Sequence, residues 1–189
     1  MRRPKKGNYA FIDSQNLNVS VQKYGWKMDW KKFRQFLSDK YGVSKAYMFI
    51  GYVPEFEDIY EKMHEAGYAI VLKPTFDMSR PQPEDKPQKS GEEKKPVKGN
   101  IDADMVLWVM REMNSYDKAV IVSGDGDFFS LVEYLHQENK LEKILTPTGQ
   151  YSSLYRQFEN YIERLDEHRR ELAYYDRRNP RRENKPSSR

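Results

Sequence analysis

Along the chain, short apolar runs rich in β-formers alternate with stretches in which apolar side chains recur every three or four positions. Asn8–Ile12 (NYAFI) is the first run. From Asp29 to Lys40 the spacing of Trp30, Phe33, Phe36 and Leu37, carried on to Tyr41, predicts a helix that Asp29 can cap. Lys45–Val53 predicts a buried strand. Pro54 then opens a helix carrying Phe56, Ile59, Tyr60 and Met63, stopped by Gly67. Tyr68–Lys73 predicts a third strand. Farther on come a helix from Ile101 to Tyr116, a strand at Lys118–Val122, a helix at Asp127–Asn139 and a strand at Lys143–Thr146. Ser152 opens what reads as one long amphipathic helix, with Leu154, Phe158, Tyr161, Ile162, Leu165 and Leu172. Strands that alternate with helices join in parallel through right-handed crossovers. The expectation is a layered α/β sandwich, with about five mostly parallel strands between helices on both faces.

One stretch interrupts this rhythm. Residues 77–97 hold four prolines, many charges and almost no apolar side chains. Such a segment cannot bury enough surface to fold alone, so it is read as a flexible insertion, either a plain surface loop or a substrate arm. Charge adds a second division. The net +4 is unevenly spread: residues 1–7 carry Arg2, Arg3, Lys5 and Lys6 without an acid, and residues 168–189 carry eight Lys/Arg against three acids. The body, residues 8–167, is thereby left at about −5. We expect a domain over residues 8–166, a basic tail at 1–7, and a basic helix end and tail at 167–189. The basic ends suit a polyanion.

Composition removes several chemistries. With no cysteine, disulfides, zinc–thiolate sites and thiol catalysis are excluded, and a reducing, cytoplasmic home is expected. The opening MRRPKKGNYAFIDSQN has no apolar stretch of the signal-peptide kind, and no apolar run is long enough to span a bilayer.

The carboxylates carry the remaining signal. In a doubly wound sheet, ligands bind beyond the carboxyl ends of the strands. Asp13 directly follows the first strand. Asp125 and Asp127 follow Lys118–Val122 through Ser123-Gly124. Asp102 and Asp104 sit where the preceding helix begins, a helix that must start near the same edge. Each acid alone has an ordinary explanation, as a helix cap or as part of a tight turn. Together they would repel, and a divalent cation relieves that repulsion. All-oxygen ligands, with no Cys and with His64, His136 and His168 in predicted helices away from the rim, select Mg²⁺ or Mn²⁺. Such ions activate water and stabilise leaving oxygens in phosphodiester hydrolysis. Asn16, one helical turn past Asp13, could bond a ligand carboxylate or metal water. Ser123 is a candidate outer-shell residue, as is Asp104. Gly124 and Gly126 could admit a phosphate to backbone N–H groups, and Lys98 could bind a substrate phosphate.

Three blocks resemble the signatures of NYN-domain proteins, part of the PIN-like nuclease superfamily that includes the LabA-like group. They are Phe11-Ile12-Asp13-Ser14-Gln15-Asn16, Lys98-Gly99-Asn100-Ile101-Asp102 and Val122-Ser123-Gly124-Asp125-Gly126-Asp127-Phe128. The resemblance covers about residues 8–165. It implies a PIN-like sandwich, a Mg²⁺/Mn²⁺ site on Asp13, Asp102, Asp125 and Asp127 with Asn16 as polar partner, and endoribonuclease activity on RNA. The chain departs from the pattern at Ser14, where relatives often carry a second Asn, and in the length of the 77–97 insertion. The alternatives are a non-catalytic RNA- or protein-binding module that keeps a structural ion, and an aspartyl-phosphate chemistry that the GDGD turn argues against. The first half of the long C-terminal helix is expected to cover the sheet, and the rest is a candidate surface for a partner such as a second copy of the chain.

Overall fold

The strand alternation resolves into two buried faces of one sheet. In the computed structural model, residues 6–52, 56–74 and 101–175 are described. Strand β1 (Asn8–Asp13) sends Ala10 and Ile12 to one face and Phe11 to the other. The same alternation separates Ala46 and Met48 from Tyr47 and Phe49 in β2 (Val43–Tyr52), and Val120 and Val122 from Ala119 and Ile121 in β4 (Ala119–Val122). Strands β3 (Tyr68–Pro74), β5 (Leu141–Thr146) and β6 (Ile162–Arg164) complete a sheet of order β3-β2-β1-β4-β5-β6, every neighbouring pair parallel. A parallel sheet is buried on both sides, which is why its central strands read as nearly continuous apolar runs.

On the first face lie helices α1 (Ser14–Lys23), α2 (Trp30–Tyr41) and α3 (Glu57–Glu65), packed through Leu17, Val21, Phe33, Leu37 and Met63. On the second lie α4 (Ile101–Arg111) and α5 (Phe129–Gln137), through Met105, Val109, Leu131, Val132 and Leu135. Local chemistry sets the helix ends. Asp29 accepts the N–H groups of Lys31 and Lys32 as the N-cap of α2, and Gly42 (φ 60°) closes that helix in the left-handed region. Gly67 (φ 91°) follows α3 as expected. Pro54, expected to start α3, lies outside the described residues.

The C-terminal part departs from expectation. The long helix from Ser152 does not form. The chain makes a 3₁₀ segment (Ser153–Tyr161), then β6, a second 3₁₀ turn (Leu165–His168) and the short helix α6 (Arg169–Leu172). Tyr155 and Phe158 are buried and Tyr161 is half-buried, and the segment is kinked at Phe158, whose backbone is not helical, so no continuous helix runs through it. Leu154, assigned to the core stripe, is 51% exposed. The helix on which self-association was expected is therefore absent. The sheet gains a sixth strand instead, with Ile162 beside Ile144 and Arg164 beside Thr146.

Candidate active site

Strand order reverses direction between β1 and β4, because chain connections run outward from β1 on one side and from β4 on the other. At such a switch point the loops diverge and leave a crevice outside the carboxyl ends of the strands. Ile12 pairs with Val122, so the next residues, Asp13 and Ser123, emerge side by side at that crevice.

Asp13 is 7% exposed. One carboxylate oxygen accepts the Asn16 N–H at 3.0 Å, making Asp13 the N-cap of α1. The other accepts the Ser123 hydroxyl at 3.2 Å. Burial pushes the Asp13 carboxyl above its ordinary range. The Asn16 N–H pulls it back, the charge of Asp102 pushes it further up, the Ser123 hydroxyl pulls it back, and Asp125 adds to the rise. Three carboxylates from three separate segments therefore act on one another at this edge. Ser14 is also buried here, donating its hydroxyl to the Phe49 carbonyl at 2.8 Å and tying the start of α1 to β2.

The loop after β4 is held from several sides. The Asn16 side-chain carbonyl accepts the Gly124 N–H at 2.9 Å, and the Gly124 carbonyl accepts the Ser152 N–H at 3.0 Å. Fully buried Ser123 accepts the Asp125 N–H through its hydroxyl. Asp125 then caps a 3₁₀ turn (Gly126–Phe128) by accepting the Asp127 N–H at 3.0 Å. From beneath, the Tyr155 hydroxyl donates to the Asp125 carbonyl. Asp127 is exposed at the mouth. A shallow basin of about 780 Å³ opens above, lined by Asn16, the Gly124–Asp127 loop, Gln150, Tyr151, Ser152 and Leu154.

Several expected roles change. Asn16 fastens the two halves of the crevice to each other. The N–H of Gly124 is already donated to Asn16, so it is not presented to a phosphate. Gly126 is small for a packing reason: a Cβ there would stand 2.4 Å from the Ser152 hydroxyl oxygen. Asp104 forms an ion pair with Lys73 at 2.9 Å, which gives it a structural partner at the end of β3. Lys98 and the 77–97 insertion lie outside the described residues. Tyr155, Gln150, Tyr151 and Ser152 were not anticipated as site residues. Their only sequence signal was their place after the last predicted strand.

Hard carboxylate oxygens beside amide and hydroxyl groups are the donor chemistry that Mg²⁺ and Mn²⁺ take. The raised proton affinity of Asp13 comes first from its burial, with the charges of Asp102 and Asp125 adding to it. Among the described residues, no three His, Asp or Glu side chains are already drawn close enough to hold an ion. The fit is thus one of chemistry and charge.

Among known proteins, the NYN domain family model matches residues 9–166. No curated protein matches the chain. Among solved structures, a protein of unknown function from Vibrio parahaemolyticus matches with a TM-score of 0.64 at 20% identity, covering 92% of this chain and 100% of that one; this likeness concerns the fold. With its parallel sheet, its carboxylates at the switch point and a family match over most of its length, the chain belongs to the NYN domain family of PIN-like nucleases.

Proposed function

We propose that the protein is a metal-dependent endoribonuclease that hydrolyses phosphodiester bonds of single-stranded RNA at the β1/β4 crevice. The observation that carries this reading is Asp13. It is a buried carboxylate at the switch point, both of its oxygens are held by donors, and two more carboxylate charges bear on it. Asp13, Asp102 and Asp125 would hold Mg²⁺ or Mn²⁺, with Asp127 at the mouth. Such an ion, when bound, supplies charge neutralisation and activation of water for attack on phosphorus. The protein's own contribution is preorganisation. Asn16 and Ser123 fix the Asp13 carboxylate, and Tyr155 and Ser152 fix the loop that carries Asp125. The open basin suits a strand laid across it better than a small enclosed substrate.

The test is cleavage of a single-stranded RNA by purified protein with Mn²⁺, compared with Asp13→Asn and Asp125→Asn. Each variant is expected to lose about 10²-fold or more in rate. Equal rates in wild type and variants would show a contaminant and sink the reading. A second reading is an RNA- or protein-binding module that keeps an ion for structure. Mn²⁺-dependent stabilisation without cleavage of any nucleic acid would select it.

A further inference from the structure

The basin poses an electrostatic problem for its proposed substrate. Its described lining carries carboxylates and no lysine or arginine. A polyanion gains little by approaching it and must be anchored elsewhere. A second pocket, of about 330 Å³, lies where the turn after α1 meets the C-terminal segment. Arg169 and Arg170 line it, with no acid among its lining residues, together with Trp26, Tyr174 and Tyr175.

We propose that this pocket docks a nucleotide of the single-stranded RNA whose scissile bond lies in the acidic basin, an inference that rests on RNA being the substrate.

Four observations converge on it. Tyr174 and Tyr175 are 49% and 52% exposed, yet their backbone is fixed: the Tyr174 N–H donates to the Lys27 carbonyl at 2.8 Å, and Met28 and Ala173 form an antiparallel bridge. Exposed aromatic rings on a fixed backbone are the stacking platforms that unpaired bases use. Cations line the pocket, and another lies over a ring. The Lys32 ammonium lies 5.2 Å from the centre of the Tyr175 ring, and the Arg169 guanidinium donates to the Gly25 carbonyl at 3.0 Å. Trp26 is 6% exposed and lines the pocket, and its indole N–H is buried with no acceptor among the described residues. Finally, the sequence that continues from Tyr175 carries six Lys/Arg against Asp176 and Glu183, a basic composition of the kind that suits a polyanion.

Geometry gives the idea a length. Asp13 caps one end of α1, and Gly25 and Trp26 follow the other end. Ten helical residues span about 15 Å. At roughly 3.4 Å per stacked nucleotide, a strand needs at least about five nucleotides to reach both places.

The experiment uses the full chain in EDTA with fluorescein-labelled oligouridylates of four and twelve nucleotides, read by anisotropy, with circular dichroism and Tm as fold controls. Arg170→Ala/Tyr175→Ala is expected to weaken binding of the 12-mer about tenfold and to lessen its salt dependence by about one phosphate contact. The 4-mer, long enough to occupy the pocket, should bind more weakly and lose affinity likewise. An unchanged 12-mer affinity, an unchanged 4-mer affinity, no RNA binding by wild type, or equally tight and equally sensitive binding of an oligoglutamate would each overturn the proposal. Cleavage with Mn²⁺ is scored separately. Loss of binding in the double variant without any wild-type cleavage leaves the docking site standing and removes the nuclease reading. Asp13-dependent cleavage with unchanged binding does the reverse.

Discussion

Asp13 shows how one residue serves opposed demands. As N-cap of α1 it stabilises the fold, and as a buried anion near Asp102 and Asp125 it costs stability. Its folded-state pKa lies above the ordinary carboxylate value, so the native state holds a proton that the unfolded chain has already released. Stability therefore falls as pH rises between the ordinary and the raised value, and the deficit persists at neutral pH. Asp13→Asn keeps a carbonyl for the Asn16 N–H and removes the charge. In EDTA at neutral pH it is expected to raise Tm by about 2–4 °C, for a gain near 1 kcal/mol, while abolishing cleavage. Mn²⁺ should raise the Tm of wild type and leave the variant unmoved. A fall in Tm for the variant would show that its charge is already compensated within the protein. The position of Asp13 was legible in the sequence because a strand end is a local property. The role of Asn16 was not, because the Gly124 N–H it accepts is 108 residues away.

At the scale of elements, the Ser123–Phe128 loop is a rigid insert between β4 and α5. Its glycines suit a close approach of phosphate on sequence alone, and the structure gives Gly126 a steric reason to be small. Gly126→Ala would press a methyl group onto Ser152, destabilising the protein by about 1–3 kcal/mol. Ser152→Gly in the same chain should restore part of that loss. The check is a double-mutant cycle in urea, and strictly additive effects would show that the two residues do not meet. The misread C-terminal helix belongs to this scale too. Residues 152–172 contain enough apolar side chains to fit a 3.6 period. Tyr155 and Phe158 are placed by what they pack on, and β6 forms only because β5 offers it an edge.

Across the whole molecule, the C-terminal segment crosses from the sheet edge to the first helical layer, burying Leu165 and Leu172 in the core beneath α2. Glu163 helps hold it there. Lys40 donates to its carboxylate, and His168 Nε2 lies 2.7 Å away. Partial burial works to raise the Glu163 pKa, and Lys40, the nearby Tyr41 hydroxyl and His168 outweigh it, so the net shift is downward. A lowered folded pKa contributes stability above the ordinary glutamate value, and that stability is lost as pH falls through the folded value. Glu163→Gln should therefore cost about 1 kcal/mol at pH 7, with the difference from wild type shrinking below about pH 4. A pH-independent difference in thermal melts would assign the loss to packing. No helix among the described residues is long and apolar enough to cross a membrane, in line with this layered fold.

The sequence by itself determined five of the six strands, several helix ends, the α/β class and the carboxylates at strand ends, together with motifs that name the family. These are local properties: the period of apolar side chains, the capping chemistry of Asp13 and Asp29, the backbone freedom of Gly42 and Gly67. Only the tertiary structure decided that β1 and β4 are neighbours, that Asn16 and Ser123 join their loops, that Tyr155 supports Asp125 from below, and that Asp104 belongs to Lys73. It also decided that the tyrosines after α6 meet the turn after α1. Each of those facts joins residues far apart in the chain, and contacts of that kind follow from how the layers pack rather than from any local pattern.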